Sequence, residues 1–521
     1  MGLYLGLDSS TQSLSALVID TALGQVVLEE SVNFGAELPE FGSPQGFLPH
    51  PDPRLRHADP LLWVAAIDAL FAKIVARGFD LNALSGVSGA GQQHGSVYLK
   101  TRISDAPPWS ERATLVEQVR PLLSRPTSPI WMDSSTAPEC AEITAALGGD
   151  SALVSISGSR AIERFTGPQI RKFWKAEPAA YAATAEVTLV SAFMASVLIG
   201  QTAPIDYGDG AGMNLLELQT GRYSSALLEA TAPELERRLP KPVPSATRVG
   251  AIAPYFVARY GFAPGTPVIA FTGDNPSSLV GMGATEPGTF VISLGTSDTV
   301  FAAMREARTD PRGYGHVFGN PAGGFMCLIS FANGSLAREL LAGRVGLGWP
   351  AFERALLEET RPGNEGSWML PYFFPETTPK LSEPHVELHG SAAFRAFREP
   401  AANARAIVEA QALSMQRHSD WIGQAPKCLR VTGGASKNRG ILRVLADVFE
   451  ARIESLESAS SAALGGAIRA AQAVEGLPWA ELYARFVAPD PGAGLESTPD
   501  SAFAYTELRA KFADKWRALG V

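Results

Sequence analysis

Two aspartates stand where an apolar strand gives way to a small polar turn. In "LYLGLDSSTQSLSALVID", residues 3 to 20, an apolar run breaks at Asp8 into five polar residues and then resumes. Backbone N–H groups in such tight small-residue turns converge into concavities that favour anions, and Ser and Thr hydroxyls add donors. A single carboxylate beside bound phosphates recruits Mg2+, directly or through water, which is the chemistry open to Asp8. Taken alone, Asp8 reads better as an ordinary turn-forming aspartate. In "VIAFTGDNPSSLVGMG", residues 268 to 283, a strand ends in a sharp turn and a helix. Asn275 and Pro276 make a good N-cap and first helical residue, which leaves Asp274 just ahead of the helix and not needed as its cap. A carboxylate at a strand's C-terminal end sits where α/β proteins place their ligands. Attraction of an acid to the helix dipole is an equal alternative.

Other stretches carry weaker signals. "VSGAGQQHGSVYL", residues 87 to 99, presents Gln92, Gln93 and His94 in a glycine-rich segment. Amides beside an imidazole offer both donors and acceptors to a polyhydroxylated ligand, though a lone loop histidine is more often structural. "LRVTGGASKNRGILRVLADVF", residues 429 to 449, reads as strand, glycine turn and helix. Gly433 and Gly434 there permit close backbone approach by a flat ligand. "GTFVISLGTSDTVFAAM", residues 288 to 304, repeats the pattern of residues 3 to 19, with Gly295 in the place of Asp8. Two such hairpins, one in each half, predict two related lobes.

The elements that must position these residues alternate between short apolar strands and longer helical patterns, which argues for an α/β class. Strands are expected over 3–7, 16–19, 187–190, 268–271, 290–294, 300–303 and 429–432, and helices over 61–76, 137–147, 169–175, 404–421, 438–449 and 462–473. The proline-rich stretch "LPKPVPSATRVGAIAP", residues 239 to 254, places a domain boundary near 253. Residues 39 to 60, with six prolines, read as a loop whose His50 and His57 are solvated and not metal ligands.

The chain has 521 residues, is 46% hydrophobic and carries a formal charge of −9. That is ordinary for a globular protein with a large core, and an acidic chain is a poor partner for nucleic acid or an anionic membrane. Cys140, Cys327 and Cys428 form no CxxC pair, so neither a zinc site nor a disulfide framework is indicated. With no signal-peptide pattern and no apolar run of membrane-spanning length, the expected compartment is the cytoplasm. The sequence contains no Walker A motif, GxGxxG, HExxH or GxSxG, so phosphate chemistry must use another architecture. Oligomeric state is left open between a monomer and a homodimer.

In their order along the chain, "LGLDSSTQS", "SGAGQQHGS", "SRAIERFTGPQIRKFW", "PIDYGDGAGMNLL", "FTGDNPSSLVGMG", "ISLGTSDTV", "TGGASKN" and "SSAALGGAIRAA" resemble the FGGY family of carbohydrate kinases. The resemblance implies a two-lobed, actin-like (ribonuclease H-like) ATPase fold with a deep interlobe cleft. It implies an N-terminal lobe over 1–253 with sugar binding and the first phosphate turn. The C-terminal lobe over 254–521 would hold the catalytic aspartate, the second phosphate turn and adenosine binding. It further implies ATP and Mg2+ as cofactors and a small sugar as partner. Asp274 matches the catalytic base. Asp8 matches the carboxylate near Mg2+ and the phosphates, and Thr11, Thr296 and Ser297 lie in the two phosphate turns. His94, Arg164, Asp274 and Asn275 match sugar contacts, with Gln93 beside them; Arg160, about one helical turn from Arg164, is an alternative. Trp349, Gly433, Gly434 and Asn438 match nucleotide contacts. "QQHGSVY", "SRAIERFTG" and "FTGDNP" are similar to the branch acting on D-xylulose. A family member for another ketose or polyol (ribulose, gluconate or glycerol), a non-kinase actin-fold ATPase and an inactive sugar sensor are the competing readings. Neither residues 39–60 nor the tail after 475 carries a family signature.

Overall fold

A computed structural model describes residues 1–456, 460–489, 494–499 and 501–520; part of the tail after 475 therefore lies outside the described residues. The chain forms two compact units, the first made of Met1–Thr285, Val317–Phe325 and Ser458–Ala488, the second of Glu286–His316, Met326–Glu457 and Pro489–Val521.

In the first unit, β1 (Leu3–Ser9), β2 (Ser13–Asp20) and β3 (Gln25–Asn33) form an antiparallel meander. β4 (Leu84–Gly91) adds parallel to β1 on its other side. β5 (Arg248–Ala251) and β6 (Pro267–Ile269) extend the sheet beyond β4, and the short β7 (Thr272–Gly273) also pairs with β4. β1, largely apolar, and β4, built of glycine, serine and small apolar residues, are both almost wholly buried, as strands inside an α/β sheet are. The helices Pro60–Ala76 and Val190–Ile199 bury Trp63, Phe71 and Phe193 in the core of this unit.

In the second unit, β8 (Thr289–Leu294) and β9 (Asp298–Met304) form the second hairpin, with Phe290 opposite Ala302. β10 (Phe325–Phe331) follows β9 in the sheet, while β11 (Cys428–Thr432) runs parallel to β8 and β12 (Arg452–Ser455) parallel to β11. Hairpin, third strand outside it and parallel strand inside it recur in the same order in both units, so the sequence echo between residues 3–19 and 288–304 is a topological one.

Two expectations are corrected. The helix after the 268–271 strand begins at Asp274 itself and runs to Gly281, with Gly273 as its N-cap in extended geometry (φ −69°, ψ 156°). Asn275 is thus not the cap; its side chain is turned to Asp274 and Gln93 instead. The proline-rich stretch near 253 is not where the first unit ends. β5, inside that stretch, and β6, after it, pair within the first sheet, and the continuous part of that unit runs to Thr285, so Asp274 shares a unit with Asp8 and His94.

The helix Ser461–Glu475 clamps the first unit. A Cβ on Gly6 of β1 would stand 1.9 Å from the Ala463 carbonyl oxygen, and one on Gly465 would stand 1.9 Å from that of Ser277. Only glycine lets this helix lie backbone-to-backbone on β1 and on the helix of Asp274. Gly465 of "SSAALGGAIRAA" thus allows the close approach to the helix of Asp274, and its neighbour Gly466 faces Gly6 and Gly89, where a Cβ would stand 3.2 and 3.1 Å from their Cα atoms. Arg469, 2% exposed, donates from the same helix to Ser88 Oγ at 2.6 Å and to the Ala270 carbonyl, tying the two strands that lead to Gln93 and Asp274.

Candidate active site

Strand register assembles the candidate site of the first unit. Ser9 is level with Gly91, and Gly91 with Gly273, at the C-terminal edge of β1, β4 and β7. Asp8, the Gln92–Gln93–His94 segment and Asp274 thus emerge together at the edge where α/β sheets hold ligands. The Gln92 N–H donates to the Ser9 carbonyl at 2.9 Å and fixes the first two.

Asp274 is held on one side only. Its Oδ1 accepts the backbone N–H of Asn275 at 2.8 Å, Asn275 Nδ2 at 2.9 Å and the Gln93 N–H at 3.4 Å. Asn275 Nδ2 also donates to Gln93 Oε1 at 2.8 Å. Burial pushes the Asp274 carboxyl up to about 6, against the pull of those N–H donors. Burial, and then the charge of Asp274, push Asp8 up to about 7. Asp8 Oδ1 is buried with no hydrogen-bond partner among the described residues. A buried carboxylate oxygen with a vacant lone pair suits a hard cation, and no cluster of three metal-ligating side chains occurs among the described residues.

His94 is placed by its surroundings. Its backbone is left-handed (φ 71°), a conformation uncommon outside glycine and frequent at functional sites. Because a carbonyl only accepts, Nδ1 carries the proton and donates to the Gly212 oxygen at 2.9 Å. The ring packs on Phe165 with centroids 4.5 Å apart. Burial, then the Arg164 charge, push His94 down to about 3, so it is a neutral imidazole whose Nε2 is an acceptor. Arg164, partly exposed, lies with its guanidinium carbon 5.7 Å from the Phe165 ring centroid. Arg160 Nε lies 3.7 Å from Asp150 Oδ2.

Three residues that carried no expectation lie beside these. Asp209 is fully buried, accepts from Ser191 Oγ and keeps Oδ1 unpartnered among the described residues. Burial holds its carboxyl well above the usual range. Asp206 accepts from Thr272 Oγ1 at 2.6 Å and pins the segment that carries Gly212 to β7. Both lie in "PIDYGDGAGMNLL", so the motif was visible and the partners of its carboxylates were not. Trp131 Nε1 donates to Thr11 Oγ1 at 2.8 Å, and a Cβ on Gly46 would stand 1.7 Å from the Thr11 carbonyl oxygen. Residues of the 39–60 loop thus back the first turn. His57, in the same loop, bonds Thr127 Oγ1 at 2.9 Å.

The second unit holds a cavity of about 770 Å3. Gly295 and Thr296 of the β8–β9 turn, Trp349, Gly434 and Asn438 all line it, with Ser335 and Glu339. Gly433 (φ 90°) stands against β8, where a Cβ would meet the Leu294 oxygen at 2.5 Å, and Gly434 faces open space. Asn438 caps the helix Arg439–Phe449 through Oδ1, accepting the Ile441 N–H at 3.0 Å. Ser297 is exposed at the tip of the turn. Trp349 is 44% exposed, an aromatic face offered to a planar group. A flat apolar wall, a glycine pair and a hydroxyl turn together suit a nucleotide.

Fold and family define the class of protein. Residues 3–281 match the N-terminal domain of the FGGY family of carbohydrate kinases, and residues 290–474 match its C-terminal domain. The chain belongs to the FGGY family of carbohydrate kinases, enzymes that draw their phosphoryl group from ATP. Xylulose kinase of Rattus norvegicus is 42% identical over 521 residues, covering 98% of this chain and 96% of its own. Xylulose kinase 2 of Arabidopsis thaliana is 40% identical over 487 residues, covering 90% and 87%. The crystal structure of xylulose kinase from Rhodospirillum rubrum shares the fold, with a TM-score of 0.83 over 99% of both chains at 22% identity. The two-domain α/β architecture is that of the actin-like ATPases, as expected from the motifs. Among the described residues no helix is long and apolar enough to cross a membrane.

Proposed function

We propose that the protein transfers the γ-phosphoryl group of ATP to the terminal hydroxyl, O5, of D-xylulose. The observation that carries this reading is the near-full-length identity of 42% with a xylulose kinase, joined to a carboxyl at Asp274 that is pinned through one oxygen. With Oδ1 engaged, Oδ2 faces the sugar and accepts the O5 proton as O5 bonds to phosphorus and the bridge to ADP breaks. A carboxylate raised to about 6 is still ionised at neutral pH and is a stronger base than a solvated one.

Neutral His94 accepts a hydrogen bond from a sugar hydroxyl through Nε2, and Arg164 donates to an oxygen of the same sugar. Thr11, Thr296 and Ser297 supply donors to phosphate oxygens, while Trp349, Gly433, Gly434 and Asn438 hold the nucleoside. The unpartnered Asp8 oxygen fits Mg2+, bound directly or through water, and the ion would neutralise phosphate charge when present. Phosphoryl transfer depends mainly on alignment and charge stabilisation. Positioning both substrates supplies roughly 7–11 kcal/mol, more than the about 10²–10⁴-fold expected of the base alone.

The test is a panel of D-xylulose, ribulose, gluconate and glycerol, assayed for ATP-dependent phosphorylation with Mg2+ and again after chelation. D-xylulose should give the highest kcat/KM, and chelation should abolish turnover. A clear preference for another sugar would reassign the substrate, and sugar-independent ATP hydrolysis would overturn the kinase reading.

A further inference from the structure

The turn between β8 and β9 is braced from below by a buried ion pair that no substrate would touch. Asp298, the first residue of β9, and Arg338, on the helix Ser335–Val345, are both at most 1% exposed. They bond end to end, Nη1 to Oδ2 at 2.7 Å and Nη2 to Oδ1 at 3.0 Å. Arg338 also donates to Gln411 Oε1 at 2.9 Å and to Ser335 Oγ at 2.8 Å. Gln411 Nε2 in turn donates to the Asn333 carbonyl at 2.6 Å. The Ser335 N–H closes the ring by donating to the Gly295 carbonyl at 2.9 Å. Gly334 leaves no room for adjustment: a Cβ there would meet the Asp298 N at 2.7 Å and its Oδ1 at 2.8 Å.

Residues on both sides of this network line the large cavity, Gly295 and Thr296 from the turn and Ser335 and Glu339 from the helix. A buried pair of this kind adds little net stability over a well-packed apolar pair, because desolvation offsets attraction; what it adds is a fixed geometry. The same unit holds a second such pair, Arg405 with Glu409 at 3.2 Å, none of whose residues lines the cavity.

We propose that Asp298 and Arg338 are positioning residues for the nucleotide: their pairing fixes the Gly295–Ser297 turn against the start of the helix Ser335–Val345, so that the turn's N–H groups and the Thr296 hydroxyl are aimed at phosphate oxygens before ATP arrives. This rests on the cavity being the nucleotide site. Preorganised donors bind a charged group without the cost of ordering it at the moment of binding. The pair therefore acts on ATP and not on the sugar.

The experiment replaces the pair by apolar residues of similar size, Asp298→Leu with Arg338→Met, and compares KM for ATP, KM for D-xylulose and Tm with wild type. Arg405→Met with Glu409→Leu serves as the control. The expected result is a folded protein with KM for D-xylulose within about twofold and KM for ATP raised about tenfold or more, while the control pair changes Tm but not KM for ATP. An unchanged KM for ATP in the folded variant overturns the proposal, as does an equal rise in both KM values. Should the double variant fail to fold, Asp298→Asn, which keeps the shape and removes the charge, is read by the same two KM values. Calorimetry of a non-hydrolysable ATP analogue on wild type and on Trp349→Ala separates the two layers. Analogue binding that Trp349→Ala leaves untouched defeats the nucleotide-site reading itself, whereas binding lost there but kept in the pair variant defeats only the positioning role.

Discussion

Asn275 holds the carboxyl of Asp274 through two hydrogen bonds to the same oxygen, from its backbone N–H at 2.8 Å and from Nδ2 at 2.9 Å. One oxygen of the carboxylate is consequently a structural anchor and the other is the chemical one. Asn275→Ala removes the side-chain bond and leaves Gln93 Oε1 without its donor. Hydrogen bonds to charged groups are worth about 1.5–3 kcal/mol, so kcat should fall roughly 10- to 100-fold. Because the lost donor favoured the ionised form, the acid limb of the pH–kcat profile should move to higher pH. An unmoved profile would mean that Asn275 does not tune Asp274.

The raised carboxyl of Asp274 has a consequence for stability. A carboxylate whose folded value of about 6 exceeds its ordinary 3.8 favours the fold when protonated. That contribution is complete below about pH 4 and is lost as pH rises through 6. The isosteric Asp274→Asn should therefore unfold at a higher Tm than wild type at pH 8, by an energy on the order of 1–3 kcal/mol. The difference should shrink towards pH 4.5. Thermal melts across that range check it, and a Tm gap independent of pH would contradict it.

The helix Ser461–Glu475 meets the helix of Asp274 at Gly465, where no side chain fits. Gly465→Val should displace the Asp274 helix and cost about 1–3 kcal/mol of stability through overpacking. Turnover should fall by more than the folded fraction does. Circular dichroism and kcat on the folded fraction distinguish this from simple unfolding.

Asp8 is expected to act on the nucleotide side. Asp8→Asn should raise the KM for ATP with Mg2+ by about tenfold or more while changing the KM for D-xylulose much less. Titrating ATP, Mg2+ and sugar separately checks the split, and the reverse pattern would remove Asp8 from its proposed role.

Much of this arrangement was legible in the sequence because it is local. The strand–turn–strand pattern at 3–19 and its echo at 288–304 follow from short apolar runs on either side of small polar turns, and both fold as hairpins. The helix Arg439–Phe449 begins and ends within a residue of expectation, whereas Thr166–Ala176 and Pro400–His418 start three and four residues earlier than expected. The Asn-Pro signal misplaced one cap, because Asn275 serves Asp274 and Gln93 rather than its own helix. What stayed hidden depends on distant pairing. No local pattern tells that β4 inserts between β1 and β6, that residues 461–475 return to clamp β1, or that Asp298 meets Arg338. Those contacts join segments far apart in the chain, and one sequence records them only as scattered small or charged residues.

The most direct test of the account is turnover of Asp274→Ala with saturating ATP, Mg2+ and D-xylulose. Its kcat should be lower by about 10²-fold or more, with sugar binding, measured by calorimetry, reduced much less, since His94 and Arg164 remain. A kcat near that of wild type would contradict it.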